Sequence, residues 1–240
     1  MVHSSLKSFG RVEGGAGAVI DAFPDALGEE GTLVMPTLCR KDKERRFETW
    51  NIRTSPSDVG LITETFRLRP GVLRSDHATH SVGALGPLAR RITAGHAEAR
   101  GRPGPWGEAA FARGSPWQAL YDLDAAVVLV GVDFKVNTLV HFIEHLMAER
   151  ALGRSPREHR PALLERLEGW QKPGIWPGYN RLQLQEALQD LGAVSQVQCG
   201  GSLLTRVGAR EMVDHALAWM ETSPEAWFSA EVCEWLRACA

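Results

Sequence analysis

The stretch Asn137-Thr-Leu-Val-His-Phe-Ile-Glu-His145 holds two histidines four residues apart, with a glutamate just before the second. On a helix, residues three and four apart share a face, so the spacing admits two chemistries. In one, His141 and His145 bind zinc in the His-x-x-Glu-His order of an inverted-zincin metallopeptidase, with Glu144 as base and a distant acid such as Glu211 as third ligand. In the other, a single histidine at a helix start acts as general base. An imidazole titrates near about 6.5, so a neutral ring accepts a proton from an attacking amine near neutral pH when a carboxylate orients it. A second pair, in Asp76-His-Ala-Thr-His80, also has ligand-like spacing, against which stands a packing role for His77.

The elements that would position these groups are legible as alternating strands and helices. Residues 31–36 and 125–131 are short apolar runs ending at Pro or Gly, the second rich in β-branched residues that suit a covered sheet. Helical periodicity covers about 17–26, 58–68, 141–150, 182–191 and 211–221. Ser57-Asp58 supplies capping chemistry for the second of these helices, and Arg69-Pro70-Gly71 stops it. Residues 95–116 carry Pro103, Pro105 and Pro116 among glycines and arginines, which predicts a loop forming a lid or pocket wall. The alternation predicts an α/β class: a layered α/β/α domain with a central mixed sheet flanked by helices. One domain is expected over 1–240, with an irregular excursion at about 151–181 built around at most one short helix.

At 240 residues, 44% hydrophobic and 23% charged, the chain can bury a sizeable core. A formal charge of -2 gives no basic footprint for nucleic acid or an anionic membrane, so the expected partner is a small molecule. Four cysteines without a C-x-x-C pair read as reduced thiols. The polar start MVHSSLKSFG is no signal peptide and no apolar run spans a bilayer, so a cytoplasmic protein is expected, as monomer or homodimer.

Several segments, in order, resemble the aminoglycoside 3-N-acetyltransferase family, whose fold is not that of the GCN5-related acetyltransferases. They are Val2-His-Ser-Ser-Leu6 with Val12-Glu-Gly-Gly15, Gly31-Thr-Leu-Val-Met-Pro36, Thr54-Ser-Pro-Ser-Asp-Val-Gly60, and Arg74-Ser-Asp-His-Ala-Thr-His-Ser-Val-Gly-Ala-Leu-Gly-Pro87. Gly114-Ser-Pro-Trp117, Val128-Leu-Val-Gly-Val132 and Asn137-Thr-Leu-Val-His141 complete the pattern. Beyond Arg150 the likeness is diffuse, Ala78 stands where the family often has Pro, and a helix and strand start that usually precede the first motif are missing, which points to a naturally short variant or a misplaced start.

The resemblance implies acetyl transfer from acetyl-CoA, as cosubstrate and without a metal, to the 3-N amine of an aminoglycoside, with antibiotic resistance as the biology. It makes His141 the base, Glu168 its downstream carboxylate and Thr138 a donor to the thioester, a residue that also reads as a helix N-cap. It assigns His3, Ser4, Ser5, Ser81, Val82 and Asn137 to the cofactor, although Ser4-Ser5 and Ser81-Val82 also read as a cap and a strand entry. Asp42 would face the acceptor, although residues 40–46 also read as a hydrated charge run; His77 and, from its place in a loop, Trp50 are candidates to line the acceptor pocket, with packing as the alternative for both. The same chemistry on a non-antibiotic amine metabolite, a catalytically weak CoA-binding protein and the zinc peptidase are the alternatives. Fold and donor site do not fix the acceptor.

Overall fold

Both apolar runs are strands. The computed structural model describes residues 1–39, 44–168 and 174–240. In chain order the first half contains β1 (Val2–Ser4), α1 (Gly15–Leu27), β2 (Leu33–Pro36), α2 (Arg46–Thr49), α3 (Leu61–Arg67), β3 (Leu73–Arg74), β4 (Val82–Leu85), α4 (Ala89–Thr93), α5 (Pro116–Asp122) and β5 (Ala126–Val130). The second half contains α6 (Leu139–Arg154), α7 (Arg160–Leu167), α8 (Arg181–Asp190), β6 (Ser195–Cys199), β7 (Ser202–Gly208), α9 (Ala209–Thr222) and α10 (Ala230–Ala238). The expected α/β class with a mixed sheet and flanking helices is what forms.

The strands hydrogen-bond as two sheets. One has the order β1-β5-β7-β6 and the other β2-β4-β3. In the first, β5 runs parallel to β1 and antiparallel to β7, so it is the mixed element. Val127, Leu129 and Val130 of β5 are fully buried, as its run of β-branched residues requires. The carboxyl ends of β1 and β5 lie side by side, with Ser4 paired to Val130. Adjacent parallel strand ends are where an α/β sheet presents a crevice.

The β6–β7 hairpin has no sequence signal on its first strand. Ser195-Gln-Val-Gln-Cys199 is exposed throughout and is held by its backbone pairing to β7, so no apolar alternation marks it. Ser57-Asp58 does not cap α3 either. The cap position is Gly60 at φ 144°, a value open to glycine, while the Ser57 hydroxyl bonds Thr63 Oγ1 at 3.0 Å. Within the excursion at 151–181, α6 runs on to Arg154, α7 is the one short helix that follows, and residues 155–159 and 174–180 are irregular among the described residues.

Two features fix the site. α6 is buried nearly all round, with Phe142 and Ile143 fully enclosed and Met147 at 1% exposure. A helix buried on every face shows little amphipathic pattern, and each such side chain contributes about 1.5–3 kcal/mol. The loop over 95–116 is then pinned to α6 from within. Arg102, its side chain 1% exposed, donates to Glu149 Oε2 at 2.8 and 3.0 Å and to the Phe111 carbonyl at 2.5 Å. That anchor sets Trp106 against the first turn of α6.

Candidate active site

A cleft of about 820 Å³ opens where β1, β2 and β5 end. His3 and Ser4 come from β1, Pro36 and Leu38 from the end of β2, and Val132 with Lys135 to Thr138 from the connection after β5. His141 follows in the first turn of α6, Trp106 closes one wall, and Arg181 enters from the start of α8.

The i,i+3 spacing of a helix puts the Glu144 carboxylate on His141, where Oε2 lies 2.7 Å from Nδ1. Glu144 is 3% exposed and His141 17%, so the acid is buried while the ring reaches the cleft. Burial pushes the Glu144 pKa up, but its interactions with His141, the Trp176 indole and Arg181 together outweigh it, and the carboxyl stays below its ordinary range. An ionised carboxylate can only accept, so the Nδ1–H of His141 donates and Nε2 carries the lone pair toward the cleft.

Residues 174–181 clamp this turn from outside. Trp176 Nε1–H donates to Glu144 Oε2 at 3.0 Å, the Tyr179 hydroxyl to the Val140 carbonyl at 3.2 Å, and Arg181 Nη1–H to the Lys135 carbonyl at 2.9 Å. Arg181 Nη2 lies 3.1 Å from His141 Nε2. The Trp106 ring sits 4.4 Å from His141 and the His80 ring 6.0 Å, centroid to centroid. Burial holds His80 well below the ordinary histidine pKa, so it is a neutral wall.

His145, one turn on, has another fate. Its Nδ1–H donates to the His141 carbonyl at 2.7 Å, and its Nε2 is buried with no partner among the described residues, directly under Gly104, where a Cβ would collide with it. Burial lowers its pKa to about 3. Neither nitrogen faces the cleft beside His141, so the pair does not form a chelate. Among the described residues no group of three His, Cys, Asp or Glu side chains converges on a metal position.

The other expected residues divide. His3, Ser4, Asn137 and Thr138 line the cleft. His3 Nε2 and Ser4 Oγ are buried polar atoms without hydrogen-bond partners among the described residues, and burial lowers His3 to about 3. Asn137 Oδ1 accepts from the Leu139 backbone N–H at 3.1 Å, while the Thr138 side chain makes no capping bond although it precedes α6. Ser5, Ser81 and Val82 are not part of the lining. Ser5 donates its backbone N–H to the Val130 carbonyl, Ser81 Oγ donates to the Thr37 carbonyl, and Val82 is core. Glu168 is exposed at the end of α7, and Glu144 takes the place beside His141 that the resemblance gave to Glu168.

Trp50 and His77 line a separate hollow of about 380 Å³ with Asp76 and Glu108, and Trp106 is the wall it shares with the cleft. Trp50 Nε1–H donates to Asp76 at 2.7 Å. Burial lowers His77 to about 3, and its ring stacks on His96 at 4.7 Å. Asp42 lies outside the described residues. Sequence reasoning gave Arg181 and Trp176 no role and gave Glu144 a catalytic role only in the zinc reading, although a glutamate three positions after the histidine also fits the family pattern; the i,i+3 His–Glu spacing was the available signal.

Comparison with known proteins bears on this arrangement. Residues 1–221 match the family described as aminoglycoside 3-N-acetyltransferase. The chain is 29% identical over 248 residues to the SPbeta prophage-derived aminoglycoside N(3')-acetyltransferase-like protein YokD of Bacillus subtilis (strain 168), covering 91% of this chain and 84% of that one. It is 35% identical over 155 residues to aminoglycoside N(3)-acetyltransferase IV of Salmonella sp, covering 64% of this chain but only 54% of that relative. The crystal structure of aminoglycoside acetyltransferase AAC(3)-IVa as apoenzyme superposes with a TM-score of 0.71 at 26% identity, covering 100% of this chain and 89% of that one. A histidine-to-alanine mutant of the same enzyme, in complex with a gentamicin, gives 0.68 at 25% identity, covering 93% and 81%. With sequence and fold agreeing over most of its length, the chain belongs to the aminoglycoside 3-N-acetyltransferase family.

Proposed function

We propose that the protein transfers an acetyl group from acetyl-CoA to the 3-N amine of an aminoglycoside, with antibiotic resistance as the consequence. The observation that carries this reading is the oriented imidazole: His141 Nδ1 is fixed on a buried carboxylate, and the ring lines a cleft of about 820 Å³. Family membership supports the chemistry, and the gentamicin complex of a relative supports the acceptor class.

His141 takes a proton from the attacking amine as its lone pair bonds the thioester carbon, and the C–S bond then breaks. The imidazolium that forms is balanced by Glu144, and it returns its proton to the departing thiolate. The thioester cosubstrate suits the donor set on the cleft wall. The Thr138 hydroxyl, which makes no capping bond, offers a hydrogen bond to its amide-rich arm, and Lys135 offers charge to its phosphates. The hollow holding Asp76 and Glu108 beside Trp50 and His77 offers carboxylates and aromatic faces to a cationic acceptor, which we assign to the acceptor side.

The test is a thiol-release assay with acetyl-CoA across aminoglycosides, polyamines and amino sugars. Turnover on gentamicin or apramycin is expected. Turnover confined to the other amines would replace the antibiotic acceptor with a metabolite, and none on any amine would leave a CoA-binding protein.

A further inference from the structure

Glu144 must carry a charge for His141 to work as a base, yet it is 3% exposed on a helix buried nearly all round. A proton taken up by the pair removes the base whichever way it is shared. With the carboxyl neutral, its O–H donates to Nδ1 and the ring is left as the Nε2–H tautomer; with the carboxyl charged, the ring is imidazolium. Neither form has the lone pair that an attacking amine needs.

Oε2 accepts two hydrogen bonds, from His141 Nδ1–H at 2.7 Å on its own helix and from Trp176 Nε1–H at 3.0 Å in the segment before α8. The charged and titratable groups around them do not do the same work. Arg181, at the start of α8, comes no nearer than 3.8 Å to Oε1, and its side chain is 28% exposed, so solvent screens it. His145 and Tyr179 feel the Glu144 charge, but burial keeps both neutral, and their protons go to the His141 and Val140 carbonyls. An indole N–H is a donor only, with no lone pair and no proton to lose near neutral pH, so it favours the ionised carboxylate throughout. The Trp176 ring is seated for this by its edge packing on His145, 4.7 Å between centroids.

We infer that Trp176 is a positioning residue for acetyl transfer: its indole N–H holds the Glu144 carboxylate ionised and turned onto His141 Nδ1, which keeps the Nε2 lone pair available. The inference rests on acetyl transfer with His141 as base. Trp176 is not part of the cleft lining, so it acts through Glu144 alone.

Trp176→Phe removes the N–H and leaves an aromatic ring against His145. The direct reading is a carbon-13 NMR titration of the Glu144 carboxyl in protein labelled at the glutamate side-chain carboxyl, with Glu144→Gln identifying the resonance. The indole bond is stronger to the charged carboxylate than to the protonated pair, so its loss should move the midpoint up by about one pH unit. In transfer from acetyl-CoA to gentamicin, the acid limb of kcat should move the same way. Trp176→Phe should lose about 10-fold at the acid end and stay within about threefold of native on the alkaline plateau, with KM moved less than about threefold. A ring that only packs would lower kcat equally at every pH, or lower the melting temperature alone. An unmoved midpoint, or a profile of native shape, would overturn the inference. Should Trp176→Phe fail to fold, the native indole N–H resonance should titrate with the Glu144 carboxyl, and a flat indole shift across that step would overturn it. If the native protein transfers nothing, the acetyl-transfer reading fails instead, and the carboxyl titration still decides what Trp176 does to Glu144.

Discussion

The first and second turns of α6 present the same side chain to different surroundings. His141 meets a cleft, an ionised carboxylate on Nδ1, and an arginine whose Nη2 lies 3.1 Å from Nε2 and 3.4 Å from Nδ1, against the ring face. His145 meets Trp106, Phe111 and Trp176, spends its one donor on a backbone carbonyl, and leaves its other nitrogen sealed under Gly104. The first arrangement holds a lone pair ready for a proton. The second holds a ring that must stay neutral, because charging it without solvent or partner is costly. Residue type and spacing are shared by the two, and burial separates their chemistry.

Removing each ring in turn is the strongest way to break that contrast. His141→Ala should lower kcat for acetyl transfer by at least ~10³, whereas His145→Gln should stay within about threefold and show its effect as a lower melting temperature. Comparable losses in both variants would remove the distinction. Glu144→Gln should keep the fold but lose about 10–100-fold in kcat, since a neutral amide no longer balances the imidazolium. An unchanged kcat would leave Glu144 without a role in the chemistry.

Acid should act on stability through the sealed kind of histidine. Burial lowers His3, His77 and His145 to about 3 and His96 to about 4, while the unfolded chain titrates at 6.5. Between these values the unfolded state binds protons that the folded state refuses. The stability is therefore complete above pH 6.5 and is lost as pH falls toward 4. Calorimetric unfolding should show a loss of roughly 4–8 kcal/mol from about pH 7 to about pH 5, and a flat profile would contradict neutral burial of these rings. The smallest effect is expected at Gly104→Ala, which pushes a methyl group against His145 and should cost about 1–3 kcal/mol of stability with little change in kcat.

Much of this was legible in the sequence because it depends on local pattern. The β-branched run of β5, the periodicity of α8 and α9, and the ordered motifs from Val2 to His141 all carry their structure in neighbouring residues. The carboxylate of His141 was legible too, one helical turn away, but the family resemblance directed attention downstream to Glu168. What sequence reasoning could not reach depends on distant contacts. Arg181 and Trp176 sit 40 and 32 residues from the groups they bond, in a Pro- and Trp-rich segment without periodicity. The β6 strand is held by backbone pairing rather than by burial, which leaves no trace in side-chain type.

The most direct test of the account is single-turnover acetyl transfer from acetyl-CoA to gentamicin by His141→Ala, with acetyl-CoA affinity measured by calorimetry on the same sample. Transfer should disappear while affinity stays within a few fold of native, because Lys135 and Thr138 on the cleft wall are untouched. Transfer at the native rate with affinity intact would contradict His141 as the base.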